Sequence, residues 1–109
     1  QKIMMPLDAL RRRAEQLRDL LRQAGIAAEV VDAFSQVGGG ALPVHNLPTC
    51  CVSLAAPGLS AHQIETRLRQ AVPPIIGRIA DDQFLLDVRA IEDAEFPLII
   101  EQARQSLFF

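Results

Sequence analysis

Long hydrophobic runs are missing from this 109-residue chain. No apolar stretch approaches the roughly 20 residues that a membrane-crossing helix needs, so no membrane association of that kind is expected. The first residues also lack the charged-then-apolar order of a secretory signal. A basic excess is missing too, since the formal net charge is -2. An autonomous nucleic-acid binder usually carries a clear positive surplus, so that class is disfavoured. Cysteine is scarce and poorly spaced for metal. Cys50 and Cys51 are adjacent, with no CxxC spacing and no Cys/His cluster to hold zinc. Neighbouring residues of a strand point to opposite faces, which argues against a disulfide between them. Both read as small apolar fillers in a reducing cytoplasm, and no metal site is expected. Neither a Ser-His-Asp arrangement nor a P-loop or dinucleotide fingerprint is readable.

What is present suits a soluble globular chain. Half the residues are apolar and 22% are charged, and the length allows one domain with a real core. Residues 1–6 read as the remnant of an interdomain connection, and residues 7–109 as one α+β domain. Leu7, Leu10, Ala14, Leu17, Leu20, Leu21 and Ala24 recur at helical spacing and predict a helix over 7–24. Gly25 stands where a left-handed cap is wanted. Arg11, Arg12, Arg13, Arg18 and Arg22 fall in this segment. They read as a solvated face with Asp8, Glu15 and Asp19 as intrahelical partners.

Residues 26–34 and 49–55 predict two strands, separated by Gly38–Gly40 and by a loop holding Pro43 and Pro48. Ser60 and Gln63 form a capping box that opens a second helix, which Pro73-Pro74 stops. Strands near 75–80 and 83–89 flank the polar turn at Asp81-Asp82. A last helix is predicted from about Glu92, with Pro97 tolerated near its first turn. The order helix, strand, strand, helix, strand, strand, helix implies a small, mostly antiparallel sheet of about four strands with helices on one face.

The segment Pro73-Pro74-Ile75-Ile76-Gly77-Arg78-Ile79 runs through Asp81-Asp82 into Leu85-Leu86-Asp87-Val88-Arg89. Upstream stand Gln36-Val37-Gly38-Gly39-Gly40-Ala41-Leu42-Pro43 and Leu47-Pro48-Thr49. In that order, these stretches resemble the C-terminal part of bacterial selenocysteine synthase, the L-seryl-tRNA(Sec) selenium transferase family. The resemblance runs from about Met4 to about Glu101. It implies the small domain of a fold-type-I pyridoxal-phosphate (PLP) enzyme. Such an enzyme makes selenocysteinyl-tRNA(Sec) from seryl-tRNA(Sec) and selenophosphate, and works as a homo-oligomer.

These enzymes hold PLP on a lysine. The sole lysine here is Lys2, whereas the family's cofactor lysine lies well upstream in the large domain. The resemblance therefore implies a piece without a catalytic residue of its own, inactive alone and partnered by its N-terminal PLP domain. Two rivals stay open: the small domain of a related PLP-dependent lyase that needs no tRNA, and a free-standing ferredoxin-like binding module.

Arg78 is the leading substrate-binding candidate, because a guanidinium in an apolar strand calls for an anion. Fold-type-I enzymes often use a small-domain arginine to hold a substrate carboxylate. The plain alternative is a cross-strand pair with Asp87 or Asp81. Asp87 and Arg89, two apart on one expected strand, should share a face. Gly38, Gly39 and Gly40 are candidates for anion or backbone contact through their N–H groups. His45 and His62 read as exposed polar residues.

Overall fold

The computed structural model describes residues 5–36 and 46–108. Helix α1 spans Leu7–Gln23, strand β1 Ala27–Gln36, strand β2 Asn46–Ala55 and helix α2 Ala61–Arg69. Strand β3 spans Arg78–Ala80 and strand β4 Gln83–Asp87. Two 3₁₀ turns, Val88–Ala90 and Asp93–Glu95, lead into helix α3, Phe96–Leu107. The four strands form one antiparallel sheet in the order β1-β2-β4-β3. The α+β reading therefore holds, and among the described residues every strand pairing is antiparallel.

Local chemistry explains the ends of these elements. At the end of α1, Gly25 takes φ +87°. Its N–H donates to the Arg22 carbonyl, and the Ile26 N–H donates to the Leu21 carbonyl. This is a Schellman cap, closed by the buried side chain of Ile26. Helix α2 opens on the expected capping box. Ser60 Oγ accepts from the Gln63 N–H at 3.1 Å, and the Ser60 N–H donates to Gln63 Oε1 at 2.8 Å. Between β3 and β4, Asp81 and Asp82 both have positive φ. A two-residue turn of that hand matches the twist of its flanking strands.

The sheet has two unlike faces. Ala28 of β1, Cys50, Val52 and Leu54 of β2, and Phe84 and Leu86 of β4 join the core. The helices supply Leu10, Ala14, Leu17 and Leu21, then Ile64 and Leu68, then Ile99, Ala103 and Leu107. Alternation sends Thr49, Cys51, Ser53, Leu85, Asp87 and Arg78 to the other face, and among the described residues the core side chains of the helices gather on the first. Thr49, Cys51, Ser53 and Leu85 are nevertheless buried.

Several expectations need correction. The chain from Pro74 to Gly77 is not paired in the sheet. The Ile75 N–H is instead bonded to the Leu68 carbonyl at the end of α2. Strand β2 starts earlier than expected and includes Pro48. Proline lacks the N–H for a central ladder position, but β4 pairs only with Cys51 to Leu54, so Pro48 lies beyond it.

Arg89 is not on a strand with Asp87. The Asp87 carboxylate accepts the Arg89 N–H at 3.0 Å and turns the chain into the first 3₁₀ turn. Helix α3 begins at Phe96 because a second 3₁₀ turn, boxed by Glu92 and Glu95, precedes it. The α1 arginines mostly look outward from their helix. Arg11 pairs with Asp32 at 2.8 Å and Arg22 with Glu29 at 3.4 Å. Arg13 bonds Asp93 and the Ile91 carbonyl and lies over the Phe96 ring. Only Arg18–Asp19 is an intrahelical pair of the expected kind among the described residues.

Candidate functional site

Charge gathers on the face of the sheet opposite the core. Arg78 enters it from β3, opposite Leu85, and Asp87 enters from β4, opposite Cys51 of β2. Asp87 Oδ1 accepts from Thr49 Oγ1 at 2.8 Å and from the Arg89 N–H at 3.0 Å. Its other oxygen faces Arg78 Nη1 at 3.6 Å. That is an ion pair, beyond hydrogen-bond length. The alternative weighed for Arg78, a cross-strand pair with Asp87, is therefore realised in this structure. Arg78 Nη2 donates to the Phe34 carbonyl at 2.6 Å and lies 3.7 Å from Cys51 Sγ.

Arg89 Nη2 donates to the Pro48 carbonyl at 2.6 Å. Phe34 and Pro48 are cross-strand partners. The two guanidinium groups thus hold one rung at the end of the β1–β2 pair against β3 and β4.

Arg78 also borders two depressions. One, of about 410 Å³, runs along Pro74–Arg78 past Leu86, Asp87, Ile91 and Ile99. The other, of about 470 Å³, lies between Val31–Phe34 and Arg78–Asp81. The Arg78 side chain is 36% exposed, whereas that of Asp87 is 13% exposed. The arginine can accept a ligand from solvent while its carboxylate partner stays largely shielded.

The cysteines separate as the alternation rule requires. Cys50 is in the core and Cys51 is beneath Arg78, and both are free thiols. Burial pushes the Cys51 thiol up to about 11 from 9.0; Asp87 adds to the rise and Arg78 opposes it. Cys50 shifts upward too, mainly through burial. A raised folded-state pKa means that the native state holds its proton more tightly than the unfolded chain. The stabilisation is complete below pH 9 and is lost as pH rises toward 11. The chain has no tyrosine and a single lysine, so few other groups titrate in that window. Stability toward thermal unfolding should fall by about 2 kcal/mol across it, and Cys51→Ala should flatten much of that slope. An unchanged slope in the variant would remove Cys51 as its source.

The profile of the L-seryl-tRNA selenium transferase family (SelA) matches residues 2–92. The chain belongs to that family. It is 39% identical over 104 residues to the L-seryl-tRNA(Sec) selenium transferase of Hyphomonas neptunium, covering 94% of this chain. It is 43% identical over 103 residues to that of Nitratidesulfovibrio vulgaris, covering 92%. A shorter match, 52% over 67 residues, covers 62% of the chain and is to the enzyme of this name from Geotalea uraniireducens. The chain spans about a fifth of the length of the first two relatives.

Within this transferase family member, the structure brings Arg78, Asp87 and Arg89 together. Gly38, Gly39, Gly40 and His45 lie outside the described residues, as does Lys2. His62 is exposed on α2. Among the described residues no three His, Cys, Asp or Glu side chains gather as metal ligands, and no helix is long and apolar enough to cross a membrane. Thr49 is the residue that sequence reasoning passed over. Its signal was available in Thr49, Cys51 and Ser53, three small polar residues at strand spacing on one face.

Proposed function

We propose that this chain is the C-terminal small domain of a PLP-dependent enzyme. That enzyme converts seryl-tRNA(Sec) to selenocysteinyl-tRNA(Sec) with selenophosphate as selenium donor. The observation that carries this reading is the family match over residues 2–92, in a chain about a fifth as long as its relatives. Residues 7–109 form the domain and residues 1–6 belong to the connection before it. The rest of the polypeptide supplies the PLP domain, and the whole works as a cytoplasmic homo-oligomer.

The described residues do not fit PLP as its anchor. None of them is a lysine, the side chain that holds this cofactor. No step is therefore assigned to PLP on this chain. Its part is to place Arg78 at the edge of the active site. The carboxyl of a seryl-tRNA is tied up as an ester, so Arg78 donates to the ester carbonyl oxygen rather than to a carboxylate. Asp87 at 3.6 Å offsets the guanidinium charge, which suits a neutral acceptor.

The test compares the full-length protein with the 109-residue chain. The full-length protein should show Schiff-base absorbance and form selenocysteinyl-tRNA(Sec) from seryl-tRNA(Sec) and selenophosphate. The short chain should bind no PLP and turn over nothing. A stoichiometric yellow complex of the short chain, or turnover by it, would overturn the proposal. Full-length activity confined to free amino acids or amino sugars would replace the transferase with a lyase.

A further inference from the structure

We propose that Thr49 and Asp87 are positioning residues for Arg78, an inference that rests on the role given to Arg78 above. Asp87 is fixed from two sides. Thr49 Oγ1 donates to Oδ1 from β2, and the Arg89 N–H donates to the same oxygen from the turn after β4. With Oδ1 doubly bonded, the carboxylate cannot rotate freely, and Oδ2 becomes a fixed negative edge 3.6 Å from Arg78 Nη1.

The Phe34 carbonyl anchors the guanidinium at Nη2. Asp87 and Phe34 therefore set its plane, while the Nη1 hydrogens keep capacity for a ligand. Side-chain entropy makes a half-exposed arginine a poor catalytic donor unless something holds it. Thr49 is 1% exposed. Its hydroxyl bonds Asp87, which in turn faces Arg78. Any effect of its hydroxyl on the reaction is thus transmitted, not direct.

The experiment is a double-mutant cycle in the full-length enzyme, with kcat and KM for seryl-tRNA(Sec) as readouts. The tRNA body supplies most of the binding surface, so misplacement of Arg78 should lower kcat and leave KM nearly unchanged. Arg78→Ala should lower kcat about 100-fold, the scale of one charge-assisted hydrogen bond. Thr49→Val keeps the shape but removes the hydroxyl, and should lower kcat about tenfold. Thr49→Ser restores the donor and should behave as the parent. In an Arg78→Ala background, Thr49→Val should have no further effect, because residues that act as a unit are not additive.

Parental kinetics for Thr49→Val beside an impaired Arg78→Ala would sink the positioning role and spare Arg78. A full additional loss in the Arg78→Ala background would show that Thr49 matters only for packing, which also overturns it. Parental kinetics for Arg78→Ala would remove both ideas. If Thr49→Val melts early, Asp87→Asn replaces it in the same cycle, with the same outcomes decisive.

Discussion

Gly77→Ala should lower the thermal midpoint of this chain by roughly 10–20 °C, the shift expected for about 3 kcal/mol in a domain of this size. The backbone at Gly77 does not need glycine, since its φ lies outside the left-handed range. Space is what forbids a side chain. A methyl there would stand 2.4 Å from the tip of the Phe84 ring and 2.6 Å from the Leu85 carbonyl oxygen. A flexible side chain could yield, but Phe84 is fully buried and the carbonyl belongs to the sheet. The new methyl must push β3 away from β4. Arg78 is the next residue, so the same displacement would draw its guanidinium off Asp87. Thermal unfolding of the purified chain checks the first effect, and turnover of the full-length enzyme checks the second. A midpoint within a few degrees of the parent would show that β3 can shift without cost.

Much of this architecture was legible in the sequence because the signals were local. The α1 stripe, the Ser60–Gln63 box, the Gly25 cap and the Asp81-Asp82 turn each need only residues a few positions apart. The misread boundaries share a different cause. Asp87 ends β4 by taking the Arg89 N–H on its side chain, a choice that competes with continuing the strand. The Ile75 N–H is taken by Leu68 from a neighbouring helix. Pro48 is accommodated because β4 stops short of it. None of these follows from periodicity.

The site divides in the same way. Arg78 was conspicuous as a charge among apolar residues, and its pairing with Asp87 across the hairpin was a foreseeable alternative. The face that Thr49 shares with Cys51 and Ser53 was readable, but its bond to Asp87 was not, since that bond joins residues 38 positions apart. The arginines of α1 looked like one solvated face, yet Arg13 ties the helix to the chain before α3.

Phe84→Ala should cost about 3–5 kcal/mol, the usual range for emptying a buried phenylalanine site. The ring is 0% exposed. Its residue pairs with Leu54 on one side and Ile79 on the other, so it packs where three strands meet the helices. The same ring occupies the room beside Gly77, and this makes the two positions dependent. With Phe84 trimmed to leucine, two of the three close contacts of a methyl at Gly77, both to ring atoms, disappear. The Leu85 carbonyl at 2.6 Å remains. The double variant Gly77→Ala/Phe84→Leu should therefore be more stable than the sum of its parts by about 1 kcal/mol, and still less stable than the parent. Denaturant unfolding of the four proteins measures that coupling. Additivity within about 0.5 kcal/mol would show that ring and glycine do not pack on each other. The placement of Arg78 over the open face would then need another support.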